Sequence, residues 1–383
     1  RNIVNYMKTF GVHNVNAMIG QEMQESKWEY LMGSRMGYLS NAATDLTLGD
    51  AATAKNNGNS GESSILSYFG RLFYSYDDKY LLTFTLRRDG SSKFYKDNRW
   101  GWFPSAALAW KVSNESFLKD NNIINNLKLR LGWGVVGNQN VPNNAYKAIY
   151  SSVATVWGTG LLAGNTPNPE LKWEQKMDYN IGLDAVFMGV DIRMDFYKSI
   201  TKDLVSSVGI APSTGFTTVS ENLGKVENKG FEILASYTPW QSRDGFVRIN
   251  GSIAYNKDKI LKISDAMRQF NENQAALAAM EDQALPVAQY QDGLSMNTIF
   301  AVPSLGIDPA IGLEMYRKQD GSSTYIWRDT DRVPCGVSVP LYRGTVGITG
   351  EYKGIGISIT GRYLGGGQMY NSTLVNMVEN ADI

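Results

Sequence analysis

The feature that most constrains this chain is a strict alternation of apolar and polar side chains across residues 80–90. Leu82, Phe84 and Leu86 alternate there with Thr83, Thr85 and Arg87. Successive side chains of a β-strand point to opposite faces, so the segment predicts a strand with one apolar and one polar face. Both a soluble β-sandwich and a transmembrane barrel, with lipid outside and water inside, use that pattern.

The same alternation recurs along the chain and predicts about eleven strands. They cover residues 14–32, 65–76, 80–90, 100–113, 127–134, 178–186, 190–197, 225–237, 247–255, 345–352 and 355–363. The predicted fold class is therefore all-β.

The links between these strands alternate in length. The predicted short links are 77–79, 114–126 (the longest of the set), 187–189, 241–245 and 353–354. The predicted long links are 33–64, 89–99, 135–170, 201–222 and 256–341. An up-and-down meander places alternate links at opposite ends, and outer-membrane barrels have short turns at one end and long loops at the other. The Greek-key connections of sandwiches do not separate short links from long ones between the two ends, so the pattern favours a transmembrane antiparallel β-barrel.

Aromatic residues concentrate beside the short links. They are Tyr76, Tyr80, Phe187, Tyr237, Trp240, Phe246 and Tyr352. Amphipathic rings collect at a membrane–water boundary, so these residues predict an aromatic girdle. The alternative is that tyrosine is simply common beside turns in sheets.

Charged residues lie on the polar faces of several predicted strands. We predict that six of them line the aqueous interior of the barrel: Lys128, Arg130, Asp191, Arg193, Asp195 and Arg248. A lysine or arginine facing lipid at mid-bilayer costs roughly 2–4 kcal/mol, which is why the alternation must hold. A soluble sheet would instead place these charges in solvent.

The composition narrows the classes of function. Lysine plus arginine and aspartate plus glutamate both number 37, so the charge balance gives no indication of a nucleic-acid partner. One cysteine excludes an internal disulfide framework, and one histidine disfavours a histidine-based metal site. No run reaches the roughly 18 apolar residues of a membrane helix, which leaves a barrel open.

No catalytic constellation emerges from the sequence, and we expect no catalytic residue, metal or cofactor. His13 has no nucleophile motif beside it, and Cys335 is a lone thiol in a predicted loop. Residues 329–331 offer clustered oxygens that suit calcium, but an ordinary polar loop has the same composition. The stretch 88–91 resembles a calcium or phosphate loop and is interpreted instead as a turn that begins a loop.

A family resemblance rests on seven motifs that occur in order along the chain. They are Ser67-Tyr68-Phe69-Gly70-Arg71 with Tyr74-Ser75-Tyr76, Lys79-Tyr80-Leu81-Leu82, Arg88-Asp89-Gly90-Ser91-Ser92 with Phe94, Gly101-Trp102-Phe103-Pro104-Ser105, Lys128-Leu129-Arg130 with Gly137-Asn138, Asn222-Leu223-Gly224-Lys225-Val226-Glu227-Asn228-Lys229-Gly230-Phe231-Glu232, and Gly306-Ile307-Asp308-Pro309 with Gly312. Together they resemble the SusC/RagA family of TonB-dependent receptors, the starch-utilisation-system transporters of the Bacteroidetes.

This resemblance implies a barrel of about 22 strands with a plug inside it. It further implies a SusD-like surface lipoprotein as a lid, the TonB-ExbB-ExbD complex as the energy source, outer-membrane lipid around the wall, and import of oligosaccharides or peptides.

Several features lead us to expect that residues 1–383 are one part of a longer barrel domain. The plug and the TonB box of the family have no match in the chain, and no signal peptide precedes Arg1. The end, residues 379–383, does not resemble a closing barrel strand, and about eleven strands is half of what the family needs.

Substrate-binding residues remain unknown at this level, although the long links offer candidates. Sugars bind aromatic faces and amide groups, which suggests Asn138, Asn140, Trp157 and Trp173. The alternative is that these tryptophans pack between links or join the rim. A helix predicted for 265–285, ended by Pro286, could cover the barrel mouth, contact the lipoprotein or lie plainly on the surface.

The sequence thus predicts an outer-membrane, TonB-dependent importer rather than an enzyme. The alternative from another class is a soluble all-β glycan-binding module, and a third is a β-sheet glycoside hydrolase, which would need two facing carboxylates that the sequence cannot pair.

Overall fold

The computed structural model describes residues 1–42, 44–118, 121, 123–209, 215–216, 218–281, 287–369, 371 and 373. Its strands are β1 Asn2–Phe10, β2 His13–Ser34, β3 Lys55–Tyr76, β4 Tyr80–Ser91, β5 Trp100–Lys111, β6 Ile124–Asn138, β7 Tyr150–Thr155, β8 Gly158–Ala163, β9 Glu174–Phe187, β10 Val190–Gly209, β11 Thr218–Gln241, β12 Gly245–Lys262, β13 Val287–Ala288, β14 Thr298–Ala301, β15 Ser304–Ile307, β16 Glu314–Arg317, β17 Ser323–Thr324, β18 Val333–Val337, β19 Tyr342–Tyr352 and β20 Ile355–Gly365. The helix α1 is Asp265–Glu281.

One large antiparallel sheet dominates the described residues. Its twelve strands follow the order β1-β2-β3-β4-β5-β6-β9-β10-β11-β12-β19-β20, so the sheet is an open meander. The remaining strands form small sheets within the links after β6 and β12. In the part of the chain described here, no helix is both long and apolar enough to cross a membrane.

The links sort by length between the two ends of this sheet. Links of two or three residues join β1 to β2, β3 to β4, β9 to β10, β11 to β12 and β19 to β20. At Met188-Gly189 and Lys353-Gly354 both residues have positive φ, the backbone of a two-residue type I′ hairpin turn. The stretch 112–123 is the longest link at this end. We call this the short-link end and the opposite one the long-link end.

The short strands β7, β8 and β13–β18 of the links were not predicted. All eleven predicted strands are present in the large sheet, and one strand of that sheet was missed. The missed strand is β1, in which Ile3, Val4, Tyr6 and Met7 distribute apolar side chains over both faces. A strand that is apolar on both faces has no period of two, and the alternation therefore failed to detect it.

Several strands are longer than predicted, which corrects the bounds of the predicted long links. β2 and β3 pair from His13 and Tyr76 to Ser34 and Lys55, so only residues 35–54 remain of the predicted link 33–64. β10 and β11 pair as far as Gly209 and Thr218, within the predicted link 201–222. The distal segment of β3, residues 55–64, has no large apolar side chain, and the backbone hydrogen bonds of the ladder maintain such a segment without an apolar pattern.

One face of the sheet is apolar and uncovered. Leu129, Ile249 and Ile357 lie on it and expose 42%, 44% and 66% of their surface. A soluble sandwich would bury these positions against a second sheet. Among the described residues no second layer covers them, which is the arrangement of a wall in contact with lipid.

Six of the seven predicted girdle residues lie on this apolar face, and Phe246 does not. Phe246 pairs with Gln241 and Glu351, and its ring lies 6.0 Å from the guanidinium carbon of Arg248 on the polar face. It precedes Val247, which faces lipid, and adjacent residues of a strand point in opposite directions.

A link residue connects two aromatic rings at the short-link end. Glu115 accepts hydrogen bonds from the Tyr80 hydroxyl at 2.7 Å and from the Trp110 indole nitrogen at 3.0 Å. The bond from Tyr80, followed by the bond from Trp110, lowers the pKa of the Glu115 carboxyl. The two rings stack with centroids 6.3 Å apart.

The helix α1 is anchored to the sheet at its first turn. Ser264 precedes it, and the Ser264 hydroxyl accepts a hydrogen bond from the Met267 backbone, as an N-cap does. Met267 is 3% exposed and packs against Val219 of β11 and Tyr290. The last residues predicted for this helix, 282–285, lie outside the described residues.

Candidate functional site

Four charged side chains form a cluster on the polar face. The two terminal nitrogens of Arg130 on β6 donate to the two carboxylate oxygens of Asp195 on β10, at 2.8 and 3.0 Å. Arg130 also forms an ion pair with Asp184 of β9 at 2.9 Å, and Arg193 donates to Asp195 at 3.2 Å. Two arginines and two aspartates thus neutralise one another across three strands.

A glycine makes the contact between Arg130 and Asp195 possible. Gly182 of β9 is the register partner of both residues, so it lies directly between them. A Cβ atom at Gly182 would lie 2.5 Å from the central guanidinium carbon of Arg130. Any side chain there would occupy the space through which Arg130 crosses the intervening strand.

Burial makes this cluster dependent on its pairing. The side chains of Arg130, Asp195 and Asp184 expose 20%, 15% and 27% of their surface, whereas Arg193 exposes 60%. The contact of Arg130 with Asp184 is an ion pair without hydrogen-bond geometry, since Asp184 Oδ1 accepts no hydrogen bond. The bidentate contact with Asp195 is therefore the stronger of the two.

The six charged residues predicted to line the lumen share one face of the sheet. Lys128 is the register partner of Asp184, and Asp191 that of Ser236. Arg248 donates to the Thr238 hydroxyl at 3.4 Å. All six lie opposite the apolar face, and their exposure to a water-filled interior stays a prediction.

A cavity of about 1080 Å³ lies beside the cluster on the polar face. Its lining combines charges of both signs, including Arg193, Asp195, Glu232 and Arg343, with the amide of Asn256. Asn256 accepts a hydrogen bond from the Tyr197 hydroxyl at 2.9 Å. This surface can form hydrogen bonds with a polar solute or polar protein segment, and among the described residues no group of three or more His, Cys, Asp or Glu side chains could hold a metal.

The residues proposed to bind substrate lie in different environments. Asn138 donates to Glu174 at 3.3 Å and accepts from the backbone of Asn140 at 3.0 Å, so these two amides are adjacent at the end of β6. Trp157 lies between β7 and β8 and is 94% exposed. The structure does not bring Trp157 together with Trp173.

Trp173 has a packing role, which corrects its interpretation as a free stacking surface. It is 5% exposed, with ring centroids 5.2 Å from both Phe94 and Phe103. Its indole nitrogen donates to the backbone oxygen of Arg99 at 2.8 Å. Sugar stacking needs an open ring face, and the core around Trp173 occupies it.

Side chains at three places considered as possible sites in the sequence form contacts within the protein: at His13, in residues 329–331 and in residues 88–91. His13 contacts the Tyr74 hydroxyl at 2.8 Å, and Asp329 forms an ion pair with Arg332. Asp89 continues strand β4 instead of beginning a loop, which corrects that prediction. It accepts from Arg87 at 2.7 and 2.8 Å, because this buried carboxylate requires a charged donor.

The link motif around Asp308 closes the small sheet of β15, β16 and β17. Asp308 accepts from the Tyr325 hydroxyl at 2.6 Å and from the Ala310 backbone at 2.8 Å. The bond from Tyr325, followed by that from Ala310, lowers the pKa of the Asp308 carboxyl.

Sequence reasoning missed Gly182 and Asp184 as parts of the charged cluster. A glycine within a strand, here between Ile181 and Leu183, marks a close approach by another group and was the available indication. The identity of that group depends on register between three strands.

The sheet is apolar and uncovered on one face and charged on the other, with short links at one end and long links at the other. This is the arrangement of the wall of a transmembrane β-barrel. The family model described as "TonB dependent receptor-like, beta-barrel" matches residues 4–332. The chain belongs to this family of outer-membrane proteins, and the resemblance to SusC and RagA is confirmed.

Named relatives agree with that assignment. The TonB-dependent receptor SusC of Bacteroides thetaiotaomicron is 36% identical over 275 residues, which are 68% of this chain and 27% of SusC. The TonB-dependent receptor P3 of Formosa agariphila is 32% identical over 271 residues, covering 69% of this chain and 27% of that protein. The matches thus span about a quarter of the length of these curated relatives.

A solved structure shows the same fold. The RagAB peptide importer in its closed-closed state superposes with a TM-score of 0.82 over 95% of this chain and 40% of the matched chain, at 23% identity. The predicted barrel fold is therefore confirmed.

Proposed function

We propose that this chain forms part of the barrel wall of a TonB-dependent importer of oligosaccharides or peptides. The observation that carries the proposal is the two-sided sheet, with Leu129 and Ile357 uncovered on one face and the Arg130–Asp195 cluster on the other. It is supported by relatives named TonB-dependent receptor SusC and RagAB peptide importer.

The partners follow from those relatives. A SusD-like lipoprotein would close the long-link end, and the TonB-ExbB-ExbD complex would act through a plug domain on solute held at the polar face. Asn138, Asn140 and the exposed Trp157 remain our candidates for substrate contact at that end. The wall would contribute no enzymatic step.

The soluble glycan-binding module is a poorer explanation of the same observations. Such a module would cover its apolar face with protein, whereas Leu131, Ile181 and Ile359 expose 51%, 60% and 64% of their surface.

Growth and uptake of cells that carry the whole receptor test the proposal. Deletion of the gene should abolish growth on one class of oligosaccharide or peptide, and the wild-type gene should restore it. Trp157→Ala should reduce uptake, whereas Tyr95→Ala, a ring exposed in another link, serves as the matched control. Unchanged growth of the deletion strain on all oligosaccharides and peptides would contradict the importer.

A further inference from the structure

Four lysines lie side by side on the apolar face toward the long-link end. Lys198 of β10 pairs in register with Lys229 of β11, and Lys229 pairs with Lys257 of β12. Lys259 follows on the same face, opposite Glu227. We call these four residues the lysine row.

The lysine row begins where the aromatic part of this face ends. Phe196, Phe231 and Tyr255 each lie two residues closer to the short-link end, so they point the same way as the lysines. The ring centroids are 6.2 Å apart between Phe196 and Phe231 and 5.7 Å apart between Phe231 and Tyr255. Aromatic rings followed by cations mark the boundary between hydrocarbon and headgroups.

The number of residues between the short link and Lys198 places this lysine at the same boundary between hydrocarbon and headgroups. β10 begins at Val190, directly after the short link, and Lys198 is its ninth residue. About 9–11 residues of a tilted strand cross the hydrocarbon core. Lys198 therefore lies at the far boundary, where the four-carbon stems can cover apolar surface while the ammonium groups reach the headgroups.

The charge of the lysine row is only partly balanced. Lys198 forms an ion pair with Glu227 at 2.8 Å, and the charges of Lys229 and Lys259 also act on that carboxylate. Within the described residues, Lys229, Lys257 and Lys259 have no ion pair of their own. Like charges directly opposite one another destabilise a sheet. An anion from outside the chain would reduce this repulsion between the lysines.

We infer that the lysine row binds the phosphate groups of lipid headgroups in the leaflet at the long-link end. Cations at a membrane surface attract anionic headgroups, and the rings beneath them contact the apolar part of the same lipid. If that end faces outward, as the proposed function requires, the ligand is the phosphorylated glycolipid lipid A. Only this choice of leaflet rests on the proposed function.

Native mass spectrometry of the whole receptor in detergent tests the inference. The probes are lipid A that carries its phosphate and lipid A from which the phosphate has been removed. The variant Lys229→Gln/Lys257→Gln/Lys259→Gln removes three charges and keeps the Lys198–Glu227 ion pair. The control Lys55→Gln/Lys96→Gln/Lys147→Gln removes three exposed lysines from the same end of the sheet.

We expect wild type to bind the phosphorylated form more tightly and the lysine-row variant to lose about five-fold in affinity per lysine. The control triple should bind as wild type does, and arginine at the same three positions should restore binding. Equal affinity for the two lipids, wild-type affinity of the glutamine variant, or failure of the arginine variant would overturn the inference.

Uptake measured in parallel keeps the two proposals apart. Phosphate-dependent binding in a receptor that imports nothing would contradict the importer and leave the lipid site standing. A receptor that imports normally without phosphate-dependent binding would contradict the lipid site and leave the importer standing.

Discussion

Arg130 and Asp195 form a bidentate ion pair across an intervening strand, with Gly182 lying between them. The pair joins β6 to β10, which do not pair with each other, and so ties three strands of the wall together by side chains as well as by the backbone. An ion pair that is four-fifths buried depends on both partners.

Arg130→Met should destabilise the barrel, because it leaves the carboxylates of Asp184 and Asp195 partly buried without their main partner. We expect a loss of about 1–3 kcal/mol in the free energy of unfolding, measured by urea titration of the whole receptor. Lys128→Met is the control. It lies on the same face without an ion pair among the described residues, and its effect should stay within about 0.5 kcal/mol. Equal effects of the two substitutions would contradict the role of the cluster.

Gly182→Ala should displace Arg130, since the new methyl group would lie 2.5 Å from its guanidinium carbon. Gly132→Ala is the matched control, because its methyl group would meet Asn180 at an ordinary 3.7 Å. Combining Gly182→Ala with Arg130→Met should cost little more than either alone, and unfolding titrations of all three variants measure that coupling. Fully additive losses would show that the glycine acts independently of Arg130.

Leu129→Lys should cost about 2–4 kcal/mol in the free energy of unfolding in a lipid bilayer, because its side chain faces hydrocarbon. Leu234→Lys is the comparison. Leu234 exposes 48% of its surface against 42% for Leu129, but lies on the polar face opposite Arg193. Its substitution should cost less, and if it costs the same, the two faces have been assigned wrongly.

Acid should loosen the link sheet of β15, β16 and β17. The pKa of Asp308 is lowered in the folded chain, so its carboxylate contributes stability above its unfolded pKa and loses that contribution as the pH falls through the lowered folded pKa. Hydrogen exchange of residues 304–327, corrected for intrinsic rates, should therefore be slow at pH 7 and accelerate in that acidic range. Asp308→Asn should exchange faster at pH 7 and lack the acid-dependent step. A wild-type profile that stays flat with pH would contradict this coupling.

The two faces of the wall could be predicted from sequence because lipid imposes a period of two. Leu129 and Ile249 had to alternate with Arg130 and Arg248, whatever their neighbours were. Beyond the membrane that constraint disappears, which is why the distal parts of β3, β10 and β11 resembled loops.

The candidate site was less predictable, because it depends on contacts between strands. The bond from Arg130 to Asp195 requires the register of β6, β9 and β10 together. Trp173 and Trp157 have the same side chain and both lie in the link between β6 and β9, yet one is buried and the other exposed. Only the packing of Phe94 and Phe103 distinguishes them.

The length of β11, Thr218–Gln241, has a consequence for what this protein can reach. Its 24 residues extend roughly 80 Å, of which a bilayer takes up about ten residues. With a tilt near 45°, the remainder rises roughly 30 Å beyond the hydrocarbon core as a hydrogen-bonded ribbon, paired with β10 as far as Thr218 and with β12 as far as Lys225. If the long-link end faces outward, as the proposed function requires, a scaffold of that height holds the links at that end well clear of the lipid.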